Sequence, residues 1–78
     1  MKLRVIDPLQ TSKYLVNWID IETIDGNMII LSDHAPLIAI LVAGKELIFE
    51  CKDGSRQQIQ LKKNGIIEVT RAETTILL

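Results

Sequence analysis

Apolar and polar residues alternate with a period of two along much of the chain, the spacing of strands buried on one face. Over residues 46–52, Leu47, Phe49 and Cys51 fall on one side and Glu46, Glu50 and Lys52 on the other, with only Ile48 interrupting the polar face. Ile59 and Leu61 oppose Arg56, Gln58 and Gln60, and Ile67 and Val69 alternate with Glu68 and Thr70. Val16, Ile19 and Ile21 share no single period, which predicts a β-bulge near Asn17 and Trp18. Two runs are apolar at every position, Met28–Leu31 and Leu37–Val42. Such strands are either enclosed within the protein or covered by a partner.

Turn chemistry divides these segments. Asp25-Gly26, Asp53-Gly54 and Asn64-Gly65 are dipeptides suited to tight hairpins, and Val42-Ala43-Gly44-Lys45 and Thr70-Arg71-Ala72 also read as turns. The pattern predicts an all-β fold: a small antiparallel β-sandwich or flattened barrel of about eight short strands, forming one domain over residues 1–78. Val5, Ile21, Leu47, Phe49, Ile59 and Val69 are its expected core.

Composition narrows the function. Hydrophobic residues make up 47% of the chain but only Tyr14, Trp18 and Phe49 are aromatic, so the core rests on branched aliphatics suited to sheets. A domain of this size buries only about 60–65% of the surface its unfolded chain exposes, so a partner covering more of it adds stability. Nine basic and ten acidic residues give a net charge of −1, and nothing draws such a chain to a phosphate backbone or an anionic membrane. No direct membrane insertion is expected: the longest apolar stretch, Ala35 to Ala43, is too short to span a bilayer, and the first residues lack the apolar run of a signal peptide.

Chemistry-bearing constellations are sparse, and no catalytic residue, cofactor or metal site is expected. The glycines are isolated, and none precedes the Lys-Ser or Lys-Thr of a phosphate-binding loop. His34 and Cys51, the single histidine and cysteine, lie seventeen residues apart, without metal spacing, and no intramolecular disulfide is possible. Ser12 and Ser55 fall in expected turns without a histidine partner. Cys51 shares its strand face with Leu47 and Phe49 and reads as an ordinary buried cysteine. Asp20 and Glu22 on one strand face read as solvated carboxylates. These residues describe a binding or structural module, with a free-standing β-barrel for a ligand or nucleic acid as the alternative. The near-neutral charge and scattered aromatics disfavour nucleic acid.

One stretch is more specific. Asp25-Gly26-Asn27-Met28-Ile29-Ile30-Leu31-Ser32-Asp33-His34-Ala35-Pro36-Leu37 resembles the signature of the epsilon subunits of F-type ATP synthases, an acidic-Gly turn followed by Ile-Leu and then Gly-His-Ala-Pro-Leu. Asp25, Gly26, Ile30, Leu31, His34, Ala35, Pro36 and Leu37 match without gaps, and Leu3–Pro8, Gly65–Val69 and Thr75–Leu77 are similar to the family's other strands. Ile29 stands where a glycine is usual, and Ser32-Asp33 where Pro-Gly is usual.

The resemblance implies the N-terminal β-sandwich of a non-catalytic rotor subunit. Such a subunit sits peripherally on the cytoplasmic face of the membrane, links the gamma subunit to the c-ring, and couples ion flow to ATP synthesis. It implies gamma contacts at Asp7, Leu37, Ala39 and Leu41, and c-ring contacts at Asp25, Gly26, Asn27 and Met28. His34, Ala35 and Pro36 are implied as a structural motif. The family's C-terminal helical pair is absent from these residues. The chain alone is therefore expected to couple without restraining hydrolysis and to bind no nucleotide, having no cluster of Lys and Arg placed for phosphates.

Overall fold

The structure, a computed structural model, describes residues 1–78 and contains eight strands and no helix: β1 Lys2–Ile6, β2 Thr11–Thr23, β3 Gly26–Leu31, β4 Leu37–Leu41, β5 Glu46–Cys51, β6 Arg56–Gln60, β7 Gly65–Val69 and β8 Glu73–Leu77. No helix is therefore long and apolar enough to cross a membrane.

The strands form two layers. In one, β4, β7, β8 and β1 lie side by side, and the first residues of β2 pair with β1. In the other, β3, β2, β5 and β6 follow in order. β2 belongs to both. Fully extended, its thirteen residues reach about 40 Å, more than the 28 Å longest extent of the molecule, so it must bend. It does so at a bulge: Val16 pairs with Cys51 and Trp18 with Glu50, leaving Asn17 as the extra residue, as the broken periodicity predicts. Asn17 Nδ2 secures the irregularity by donating to Glu50 Oε1 at 2.9 Å and to the Cys51 carbonyl at 3.3 Å. At its far end β2 meets β4 through the pair Thr23–Leu41, closing a flattened barrel.

The core lies between the layers. Leu3, Val5, Ile67, Val69, Ile76 and Leu41 pack from one side, and Val16, Ile19, Ile21, Ile30, Leu47 and Phe49 from the other. Leu61 closes the bottom of the set, and Phe49 meets the Tyr14 ring with centroids 4.7 Å apart. Five of the six expected core residues are buried. Ile59 is only half-buried, because β6 pairs with β5 alone and forms the edge of its layer.

Three local readings change. Asn64-Gly65 is not a hairpin: β6 pairs with β5 while β7 pairs with β4 and β8, so this dipeptide carries the chain between layers. Ser12 lies within β2 rather than in a turn. The sheet is not wholly antiparallel, since β1 and β8 run parallel from Lys2–Glu73 to Ile6–Leu77. Closing the first layer brings the two ends of the chain together as neighbours, and their directions happen to agree. The hairpins at Asp25-Gly26 and Asp53-Gly54 and the Thr70–Ala72 turn stand as expected. In the second of these, the Ser55 hydroxyl and then its backbone N–H donate to Asp53 and hold its carboxyl below the usual carboxylate range.

Candidate functional site

Both fully apolar runs became strands with one apolar face turned to solvent. In β4, the inner side carries Leu37, Ala39 and Leu41, and the outer side carries Ile38 and Ile40, 73% and 42% exposed. Leu41 is fully buried and Leu37 and Ala39 pack against the core, so these three support the outer face from behind. The partner contact expected at Leu41 therefore has no surface to act through, and a charge at Ala39 would strike the core. In β3, Ile29 and Leu31 face out and Ile30 is buried.

The β4 face does not end at β4. Ile40 pairs with Ile66 of β7, Ile66 with Leu77 of β8, and Leu77 with Ile6 of β1. Side chains directly opposite one another in a sheet share a face, so these residues form one apolar row across four strands. Ile66 and Leu77 are 46% and 44% exposed and Ile6 is half-buried. Ile38, paired with Glu68, adds to one end.

The remaining expected contacts fall around this row. The β2–β3 hairpin with Asp25, Gly26, Asn27 and Met28 adjoins β4: the Ile24 N–H donates to the Ile40 carbonyl and the Val42 N–H to that of Glu22, both at 3.1 Å. Thr23 Oγ1 bridges the hairpin, donating to the Gly26 carbonyl and accepting from Asp25 N–H. Asn27 Nδ2 donates to Asp20, Glu22 and the Ile21 carbonyl, while Met28 turns toward the core. Asp25, Gly26 and Asn27 are exposed. Asp7, three strands from β4 in the β1–β2 turn, directly follows Ile6 at the far end of the row. Its Oδ1 accepts from the N–H groups of Leu9 and Gln10, at 2.7 and 2.9 Å, which makes it a turn-forming residue.

His34, Ala35 and Pro36 lie in the crossover from β3 to β4. The His34 N–H donates to the Leu31 carbonyl across a turn, and its Nδ1 lies 2.7 Å from the Ala35 carbonyl oxygen. Asp33, in that turn, has φ 62°. Aspartate tolerates this left-handed conformation better than most residues but is still strained in it. Asp33→Gly should relieve the strain, offset in part by the entropy of glycine. We expect a net gain of less than about 1 kcal/mol and a melting temperature higher by a few degrees, read by calorimetry. A lower melting temperature would mean that Asp33 contributes a favourable interaction outweighing its backbone strain.

One grouping was not read from the sequence. Lys2 and Arg4 alternate outward on β1, and the register places Lys13 of β2 directly opposite Arg4. Together with Leu15 and Glu73 they line an open cavity of about 370 Å³ beside the apolar row. The alternation of Lys2 and Arg4 is visible in the sequence, but only the β1–β2 register brings in Lys13. No three His, Cys, Asp or Glu side chains come together in a way that would hold a metal ion.

The comparisons with known proteins agree with this architecture. The family described as ATP synthase, Delta/Epsilon chain, beta-sandwich domain matches residues 1–78. The sodium-ion-specific ATP synthase epsilon chain of Propionigenium modestum is 32% identical over 79 residues, a match covering 97% of this chain and 54% of that protein. The chain thus spans about half the length of this relative. A chain in the cryo-EM structure of the Euglena gracilis mitochondrial ATP synthase, comprising OSCP, F1 and c-ring in rotational state 1, superimposes with a TM-score of 0.82. It is 22% identical, and the match covers 96% of this chain and 48% of that one, a likeness of fold.

Proposed function

The chain belongs to the ATP synthase delta/epsilon β-sandwich family, and from that membership we propose that it is a non-catalytic rotor component joining a gamma subunit to the c-ring of an F-type ATP synthase. The observation that carries the proposal is the apolar row Ile40–Ile66–Leu77–Ile6, extended by Ile38. Contiguous aliphatics, exposed on β4, β7 and β8 and half-buried on β1, are a poor surface for a free-standing protein and a good one for a permanent partner. On this reading the row is the gamma-facing surface, with Ile38 and Ile40 in the role expected of Leu37, Ala39 and Leu41. The neighbouring hairpin at Asp25, Gly26 and Asn27 faces the c-ring. The layers behind are closed into a barrel, so the row sits on a stiff support suited to carrying torque, and ATP chemistry belongs to other subunits.

The test is Ile38→Asp. The side chain is mostly exposed, so the fold should survive, while a carboxylate buried at the interface without a partner should cost about 1–3 kcal/mol of binding. Titration against the gamma chain of the same organism should show affinity weakened by about tenfold or more. Unchanged affinity in a folded variant would remove the β4 face from the interface.

A further inference from the structure

The outer face that carries the apolar row changes character toward β1 and β2. One residue along from Ile6 on that face is Arg4, and Lys13 stands directly across from it. Lys2 follows, opposite Leu15 on one side and Glu73 on the other. Three cations thus meet one carboxylate in a single cavity, on a chain whose net charge is −1. Like charges placed directly opposite in a sheet destabilise it, so Arg4 and Lys13 are set against the stability of their own strands.

Glu73 does not resolve the conflict. Its Oε1 lies 3.9 Å from Arg4 Nε, an ion pair without a hydrogen bond between side chains 41% and 37% exposed, an arrangement that contributes little. The groove therefore holds three cations against one carboxylate, open to solvent beside the apolar row. We propose that this groove receives a carboxylate from an acidic segment of the protein that covers the apolar row.

Two features select a protein carboxylate over a phosphate. The groove already contains Glu73, which repels a multiply charged anion more than a single carboxylate, and no glycine loop or run of backbone N–H groups is present to cradle phosphate oxygens. The groove is also continuous with the aliphatic row, so an occupant filling both must carry apolar and acidic groups on one surface. From β1 to β4 is three inter-strand steps, on the order of 14 Å. A helix of about ten residues covers that distance.

This inference rests on the docking surface proposed above, and one experiment separates their failures. The gamma chain is titrated with the wild type, with Ile38→Asp, and with Lys2→Glu/Lys13→Glu, at low and high salt. Lys2 and Lys13 are exposed and their reversal should leave the fold intact, as a circular dichroism melt will show. If the proposal holds, wild-type affinity falls as salt rises, and the double reversal weakens binding at least tenfold at low salt and flattens the salt dependence. If the double reversal binds like the wild type while Ile38→Asp does not, the acidic-segment inference is overturned and the docking surface stands. If neither variant changes binding, or the wild type does not bind, both fall.

Discussion

Phe49→Ala is expected to remove about half of the chain's stability or more. Phe49 is fully buried in β5, between its neighbours Ile19 of β2 and Gln57 of β6, and stacks at a tilt on Tyr14. It is the largest fully buried side chain. Truncating a buried phenylalanine to alanine costs about 3–5 kcal/mol, through lost burial and the cavity left behind. Losing the ring pair adds about 0.5–1.5 kcal/mol. A chain of 78 residues has only about 4–12 kcal/mol of stability in total. Small domains lose roughly 1 kcal/mol per molar urea, so the unfolding midpoint should fall by several molar and the folded baseline should shorten. Leu9→Ala is the control: Leu9 is almost fully exposed at the tip of the β1–β2 turn, so its midpoint should stay put. A cooperative transition in Phe49→Ala within about 1 kcal/mol of the wild type would mean that the core is organised around other residues.

The same residues show which part of the fold the sequence announces. Phe49 sits on an alternating strand flanked by Glu46, Glu50 and Lys52, so its inward direction is legible without any structure. In β4 no polar residue marks a side, and five apolar positions in succession leave the outward set undetermined. Polarity reaches β4 through its partner: Glu68 marks the outer face of β7, and pairing with Glu68 makes Ile38 outward. The gamma-like expectation at Leu37, Ala39 and Leu41 chose the inner set for lack of that register.

Register also explains the missed basic groove, because Arg4 and Lys13 become neighbours only when β1 folds back on β2. The bulge at Asn17 was legible for the opposite reason. It shifts the phase of the apolar pattern within one strand, and that shift is written in local spacing. Turn dipeptides are intermediate. They report that the chain reverses, and Asp25-Gly26 and Asp53-Gly54 do join paired strands. Asn64-Gly65 has the same local chemistry, but which strands pair is a long-range property, and here the chain changes layers instead.

What Gly65 does there leads to the second large effect. Gly65 begins β7 on its inner face, paired with Leu41. It is not among the residues with positive φ, so its backbone conformation does not call for glycine. Space does: a Cβ at this position would lie 2.9 Å from the Leu77 carbonyl oxygen and 3.0 Å from Leu78 Cδ2. The nearer obstacle is backbone within the β7–β8 ladder and cannot step aside as a side-chain end can.

Gly44 is the contrasting case. It has φ 81° in the turn between β4 and β5, and a Cβ there would meet nothing within 4 Å. The two sites should therefore separate by the kind of residue that each tolerates. Asparagine accepts left-handed backbone, so Gly44→Asn should cost less than about 1 kcal/mol. Gly65→Asn and Gly65→Val must push β8 away from β7 and should cost about 3 kcal/mol, the upper end of what overpacking a close-packed core exacts. Because Leu77 carries the apolar row across β8, the displaced strand should also show faster amide exchange at Ile76 and Leu77. Equilibrium urea unfolding ranks the variants, and amide exchange by NMR locates the damage. If Gly65→Asn proves as mild as Gly44→Asn, β8 yields readily at Gly65, and the support beneath Leu77 in the row is softer than the proposed docking surface requires.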